Sequence, residues 1–229
     1  MGKTVGILLA GGKGERIGSP IPKQFLYVGN KMLIEYSIEK LEKTEEIDEI
    51  YVVSDSQYSK IIEHLKNRYS KLTKIIDGGR TKNESLKDGV LALDEDVERV
   101  IIHIADRPFV SSYVLSEMIK LLNRYDVISF CSKIPSYVVR VNGEFVSKVL
   151  NRQELRLCKS PVAYRSEILK TLINMVPNSE FLNIESDIEL LRKYLPEVKI
   201  YAYESTSFNF KITYKDDLRV TSLLLLNGA

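Results

Sequence analysis

A short, branched apolar run, Val5-Gly6-Ile7-Leu8-Leu9, breaks directly into Ala10-Gly11-Gly12-Lys13-Gly14. Such a run suits a strand buried on both faces of a parallel sheet. The five positions after it carry almost no side chain. Glycine admits positive φ there and lets a ligand lie against peptide N–H groups. Arg16 and Lys23 supply positive charge where the loop opens. A strand feeding a small-residue turn flanked by cations points to a phosphate-bearing ligand. A tight glycine turn with solvated cations is the competing reading of the stretch taken alone.

At 229 residues the chain suits one large domain or two small ones. It is 44% hydrophobic and 28% charged, enough for a core. A formal net charge of +2 gives no global field that would draw nucleic acid or a membrane surface, so any anion site must be local. Cys131 and Cys158 lack metal spacing and no signal peptide accompanies them. Reduced core thiols in a cytoplasmic protein are the expectation. No apolar run approaches the ~20 residues of a membrane span, and Leu223 to Leu226 reads as the end of a packed helix.

Along the chain, Leu33, Ile34, Ile38 and Leu41 have helical spacing, and Ile47 to Val53 rises into a second strand. Ile61, Ile62, Leu65 and Tyr69 mark another helix face. Lys74-Ile75-Ile76 is a third strand, Leu86 to Leu93 a helix, and Arg99 to Ile104 a fourth strand. The alternation predicts an α/β domain with a mainly parallel sheet. Gly11-Gly12, Gly78-Gly79 and Ala105-Asp106-Arg107-Pro108 fall at the carboxyl ends of predicted strands, the edge where open α/β sheets bind ligands. Tyr137 to Val141, Asn142-Gly143 and Glu144 to Val146 predict a hairpin closed by a type I′ Asn-Gly turn. It is either a dimerising arm or a meander on the sheet edge. Helices over Ser166–Leu172 and Ser186–Tyr194, a strand Val198–Ala202, a strand-like Asn209–Thr213 and a closing helix from Asp216 complete the chain.

The dinucleotide fingerprint fails, since Ile17 stands where the third glycine of G-x-G-x-x-G belongs, and the P-loop pattern is absent. What fits is L-x-A-G-G-x-G-x-R from Leu8 to Arg16, followed by Pro22-Lys23-Gln24-Phe25. These motifs resemble the sugar-phosphate nucleotidyltransferases, and the PKQF form resembles the cytidylyltransferase branch that makes CDP-methylerythritol or CDP-ribitol. The likeness continues in order through Gly78-Gly79 with Ser85, His103 with Arg107-Pro108-Phe109, Arg152 with Ser160-Pro161, Ser186-Asp187, and Asn209-Phe210-Lys211-Ile212-Thr213. It implies a three-layer Rossmann-like α/β nucleotidyltransferase domain over residues 1–229, with a hairpin arm at about 136–151.

The resemblance also implies the chemistry. An acceptor phosphate oxygen attacks the α-phosphate of CTP, pyrophosphate leaves, and pre-placed cations meet the growing charge. Arg16, Lys23 and Lys211 would stabilise that charge. Leu9, Ala10, Gly11, Gly12, Gly14, Gly78, Gly79, Lys82, Ser85 and Ala105 would hold the nucleotide. Arg152, Ser186, Asp187 and Lys211 would bind the acceptor, and Asp106 would bind Mg²⁺. His103 is expected to be a satisfied core histidine rather than a catalyst, and His64 a solvated one.

Two departures from the family pattern stand out. The His-Asp pair becomes His103-Ile104, with the acid two places later at Asp106; the metal role is carried there because more distant relatives place it two residues before the proline. Near the acceptor, Ile134-Pro135-Ser136-Tyr137 replaces D-T-[IV]-K. Methylerythritol phosphate is the default acceptor, with ribitol phosphate or another alditol or sugar phosphate the alternative, and a homodimer through the arm is expected. A non-catalytic nucleotide-binding relative and an oxidoreductase on a dinucleotide fold are the readings from other classes.

Overall fold

Alternation along the first strand sets the layers. In the computed structural model, which describes residues 2–12, 14–183, 186–206 and 208–226, β1 (Lys3–Leu9) sends Leu8 to one face of the sheet and Val5, Ile7 and Leu9 to the other. Lys13 of the glycine loop lies outside the described residues. After β1 come a short ladder, β2 (Tyr27–Val28) with β3 (Lys31–Met32), then α1 (Leu33–Glu42), β4 (Glu49–Ser54), α2 (Ser59–Lys66) and β5 (Leu72–Asp77). The chain then forms α3 (Lys82–Leu91), β6 (Val97–Ile104), α4 (Ser112–Leu121) and β7 (Val127–Lys133). The hairpin β8 (Val138–Asn142) and β9 (Phe145–Leu150) leads into β10 (Arg156–Arg165) and α5 (Ser166–Met175). The C-terminal part holds α6 (Asn178–Asn183), α7 (Asp187–Tyr194), β11 (Ile200–Glu204) and α8 (Lys215–Leu226).

The seven-stranded sheet has the order β11-β7-β10-β6-β1-β4-β5. Of these strands only β10 runs against its neighbours, pairing antiparallel with β6 and β7. The chain steps outward from β1 to β4 and β5, then returns to lay β6 on the other side of β1. That reversal opens a crevice at the carboxyl ends of β1 and β6. Ile34 and Ile38 of α1, Leu65 of α2 and Leu115 of α4 cover one face; Leu86 of α3, Leu169 of α5 and Leu190 of α7 cover the other. The expected three layers are present.

Local chemistry explains where several elements begin. Helix α3 starts four residues before the expected Leu86, because Thr81 accepts from the Glu84 amide while the Glu84 carboxylate accepts from the Thr81 amide. This reciprocal cap satisfies two otherwise orphaned donors. Gly89 lets the same helix settle onto the sheet: a Cβ there would stand 3.0 Å from the side chains of Ile7 and Val53. The close seat carries the first turn of α3 to the crevice.

Three expectations change. Asn142 does not take positive φ; it pairs with Phe145, and the turn is Gly143-Glu144 with φ +59° at the glycine alone. A glycine-first turn closes a two-residue hairpin without straining the asparagine. Asn209–Thr213 is not a strand but an irregular extended segment, pinned where the Ile212 amide donates to Asp106 O at 2.9 Å. In α8, Leu223 is exposed, while Leu225 and Leu218 pack with Ile17, Val28 and Ile212. That small cluster fastens the C-terminal segment over the loop after β1. No helix among the described residues is long and apolar enough to cross a membrane.

Candidate active site

Peptide groups build the floor of the crevice. The Ala10 amide donates to Val53 O at 2.7 Å, and the Ala105 amide to Leu9 O at 3.0 Å, so the ends of β1, β4 and β6 are tied together. Beyond Ala10 the glycine loop is held from beneath by one buried side chain. Gln24 Nε2 donates to Ala10 O at 2.5 Å and to Gly12 O at 3.0 Å. Gly14 turns the chain at φ +70°, packed against Lys23.

The cleft above this floor has a volume of about 660 Å³. It gathers residues far apart in sequence: Leu9 to Gly12, Gly14, Arg16 and Lys23 from the loop, Lys82 and Ser85 from α3, Ala105 and Asp106 after β6, and Lys211. Gly78 and Gly79 stand behind the lining rather than in it. A Cβ on Gly78 would meet Ser85 Oγ at 2.8 Å, and one on Gly79 would collide with Glu84. These glycines make room for the capped start of α3.

At the cleft's centre, Lys23 Nζ donates to Asp106 Oδ2 at 2.6 Å and to Ile212 O at 2.6 Å. Two of the three ammonium protons are thereby used and one remains. Lys211 Nζ lies 3.8 Å from the same carboxylate oxygen. Asp106 draws its proton on more tightly, but burial and the nearby charges of Lys23, Arg107 and Arg16 outweigh that, and the Lys211 pKa is lowered. The other carboxylate oxygen, Oδ1 of Asp106, is buried with no hydrogen-bond partner. Five cationic side chains, Arg16, Lys23, Arg80, Lys82 and Lys211, face this single carboxylate among the described lining residues. The pattern suits a polyanion.

A smaller cavity of about 290 Å³ adjoins the first, sharing Lys82 and Ile104 with it. Ser186 and Asp187 line it with Arg107, Cys158 and Lys159. Asp187 accepts a hydrogen bond from the Tyr164 hydroxyl and stands 4.0 Å from Lys82 Nζ. Arg152 lines neither cavity; it sits at the base of the hairpin, donating to Pro135 O at 2.8 Å and stacking over Tyr137.

His103 is fully buried and satisfied. The Ile104 amide donates to Ser160 Oγ at 3.0 Å, the Ser160 hydroxyl meets His103 Nδ1 at 2.9 Å, and His103 Nε2 lies 3.0 Å from Arg107 O. Facing a carbonyl, Nε2 must carry the proton. Burial depresses the imidazole pKa to about 4.

A match to one family model spans residues 4–227, that of 2-C-methyl-D-erythritol 4-phosphate cytidylyltransferase (IspD). The chain belongs to this family. An enzyme of that name from Clostridium botulinum (strain Loch Maree / Type A3) is 32% identical over 222 residues, covering 95% of each chain. A bifunctional ribulose 5-phosphate reductase/CDP-ribitol pyrophosphorylase from Haemophilus influenzae is 30% identical over 97% of this chain, which spans 48% of that longer protein. The crystal structure of 4-diphosphocytidyl-2C-methyl-D-erythritol synthase from Anaerococcus prevotii superposes with a TM-score of 0.87 at 23% identity, covering 98% and 99% of the two chains. It confirms the fold.

Gln24 and Arg80 were not assigned from sequence. Gln24 sits inside the PKQF motif, but only the folded loop reveals its two carbonyl partners. Arg80 adds a cation directly after the glycine pair, where its position alone could have drawn attention.

Proposed function

We propose that this protein is a CTP-dependent cytidylyltransferase whose acceptor is 2-C-methyl-D-erythritol 4-phosphate. The observation that carries the reading is the larger cleft, in which five cations and the amides of a glycine loop surround one carboxylate. CTP fits this lining. Its triphosphate would meet Arg16, Lys23 and Lys82, with the start of α3 adding its partial positive charge. The backbone from Leu9 to Gly12, with Gly14, Ser85 and Ala105, would hold the nucleoside, and Gly78 and Gly79 would act through the seating of Ser85 and Glu84.

In this reading the acceptor occupies the smaller cavity, its hydroxyls toward Ser186 and Asp187 and its phosphate toward Lys211. As the acceptor oxygen attacks the α-phosphorus, negative charge grows on the equatorial oxygens and on the departing pyrophosphate. Lys23 is already held by Asp106 and Ile212 O, so its remaining N–H meets that charge without reorganisation. Asp106 fits Mg²⁺, since Oδ1 is an unpartnered anionic oxygen and Mg²⁺ needs only one or two protein carboxylates beside substrate phosphates. When bound, Mg²⁺ would neutralise part of the phosphates' charge.

Residues 1–229 form one nucleotidyltransferase domain in this reading, working in the cytoplasm as a homodimer. Dimerisation gives the arm a purpose, because Val141, Phe145, Val146 and Val149 are all exposed on a sheet of two strands among the described residues. It would also let Arg152, which lines neither cavity of its own chain, serve an acceptor phosphate in the second copy. Pyrophosphate release from CTP and Mg²⁺, measured with methylerythritol, ribitol and other alditol phosphates, tests the assignment. Turnover with methylerythritol phosphate far above the rest is expected. Preference for ribitol phosphate would move the acceptor, and CTP binding without turnover on any acceptor would mark a non-catalytic relative.

A further inference from the structure

Two thiols face each other across the sheet beside the smaller cavity. The ladder sets Cys158 of β10 directly opposite Cys131 of β7, and their sulfurs are 3.3 Å apart, both free. Opposed residues in an antiparallel pair have Cα separations of about 4.5–5.5 Å. A disulfide spans about 4.4–6.8 Å. The bond therefore needs side-chain rotation only, not movement of either strand.

The two sulfurs differ in reach. Cys158 is exposed and lines the smaller cavity, whereas Cys131 is 1% exposed. They differ in acidity through the hydrogen bond they share. A hydrogen bond from Cys131 holds the Cys158 thiol below the ordinary cysteine range, with Ser129 assisting, against the opposing effects of burial and Asp187. Donating that bond and being buried push Cys131 up. A reachable, acidified thiol beside a shielded one is the arrangement of an attacking and a resolving cysteine.

We propose that Cys158 and Cys131 form a thiol–disulfide exchange site for low-molecular-weight disulfides, in which Cys158 attacks and Cys131 resolves. In the first step Cys158 Sγ bonds to one sulfur of the incoming disulfide, its S–S bond breaks, and the released thiolate takes the Cys158 proton. In the second, Cys131 Sγ attacks Cys158 Sγ, the second small thiolate leaves, and it takes the Cys131 proton. Two electrons pass from the protein dithiol to the added disulfide, which departs as two thiols. Between the steps the attached group occupies the smaller cavity, and resolution by Cys131 clears it again.

The test treats the folded chain with glutathione disulfide and follows intact mass and a non-reducing peptide map. The wild-type chain should lose two hydrogens and show a Cys131–Cys158 cross-link that dithiothreitol reverses. Cys131→Ala should trap a glutathione adduct on Cys158, and Cys158→Ser should remain unmodified. At pH 7, iodoacetamide should alkylate Cys158 about tenfold or more faster than Cys131. A wild-type chain left dithiol by excess glutathione disulfide, a stable glutathione adduct on the wild type, or equal alkylation rates would overturn the proposal. None of these readouts depends on catalysis, so they stand apart from the cytidylyltransferase assay.

Discussion

Lys23 Nζ and Asp106 Oδ2 are 2.6 Å apart in the floor of the cleft, each side chain 8% exposed. Their residues are 83 positions apart and meet because β1 and β6 are neighbours. Breaking such a pair strands a buried charge, commonly at about 3–5 kcal/mol. Lys211 at 3.8 Å still offers Asp106 a second cation, so the low end applies to Lys23→Met. Chemical denaturation should show Lys23→Met losing about 3 kcal/mol and Asp106→Asn about 3–5 kcal/mol, and the double variant less than their sum. Additive losses would mean that the two groups are not coupled. Turnover should fall at least about a hundredfold in each single variant.

The lowered pKa of Lys211 predicts an early alkaline limb. As pH rises, Lys211 gives up its proton before an ordinary lysine at about 10.4 does, and a neutral amine no longer attracts phosphate. The loss should be sharper in kcat/KM, which reports the free enzyme, than in kcat, because bound polyanion restores the proton. Lys211→Arg should retain part of the activity and move the limb to higher pH. An unmoved limb would remove Lys211 from the titration.

His103 predicts acid sensitivity. Its folded pKa of about 4 lies below the ordinary value of 6.5, so the unfolded chain binds the proton more readily. Stability is therefore full above pH 6.5 and declines as pH falls toward 4, by about 3 kcal/mol in the limit. His103→Gln should flatten the slope of stability in that window while leaving catalytic pH dependence above it unchanged.

Gln24→Ala removes the donor from the carbonyls of Ala10 and Gly12, and Gln24→Glu places a carboxylate against them. An unsatisfied buried carbonyl costs about 1–3 kcal/mol. The KM for CTP should rise about tenfold in the alanine variant and more in the glutamate variant. The KM for the acceptor should change less, because the glycine loop lines only the larger cleft.

The arm carries its own prediction. Phe145 is 79% and Val146 62% exposed. If they meet a second copy, Phe145→Glu with Val146→Glu should give monomers in sedimentation, and Arg152→Ala should raise the acceptor KM without changing the sedimentation coefficient. Dimers that persist in the double variant would place the interface elsewhere.

Much of the site could be read from the chain, because much of it is local. Val5 to Leu9 suits a doubly buried strand, its glycine-rich exit follows at once, and Arg16 and Lys23 come soon after that exit. Alternating strand and helix periods determined the layers in the same way, through hydrophobic spacing alone. The tertiary structure decided what spacing cannot encode. It brought Asp106 to Lys23, set Lys211 over the loop through the Ile17–Ile212 cluster, and put Arg152 on an arm away from both cavities. It also moved the hairpin turn from Asn142-Gly143 to Gly143-Glu144 and matched Cys131 with Cys158. Local periodicity specifies which elements form; strand order and register specify which side chains meet, and those depend on packing between segments far apart in the chain.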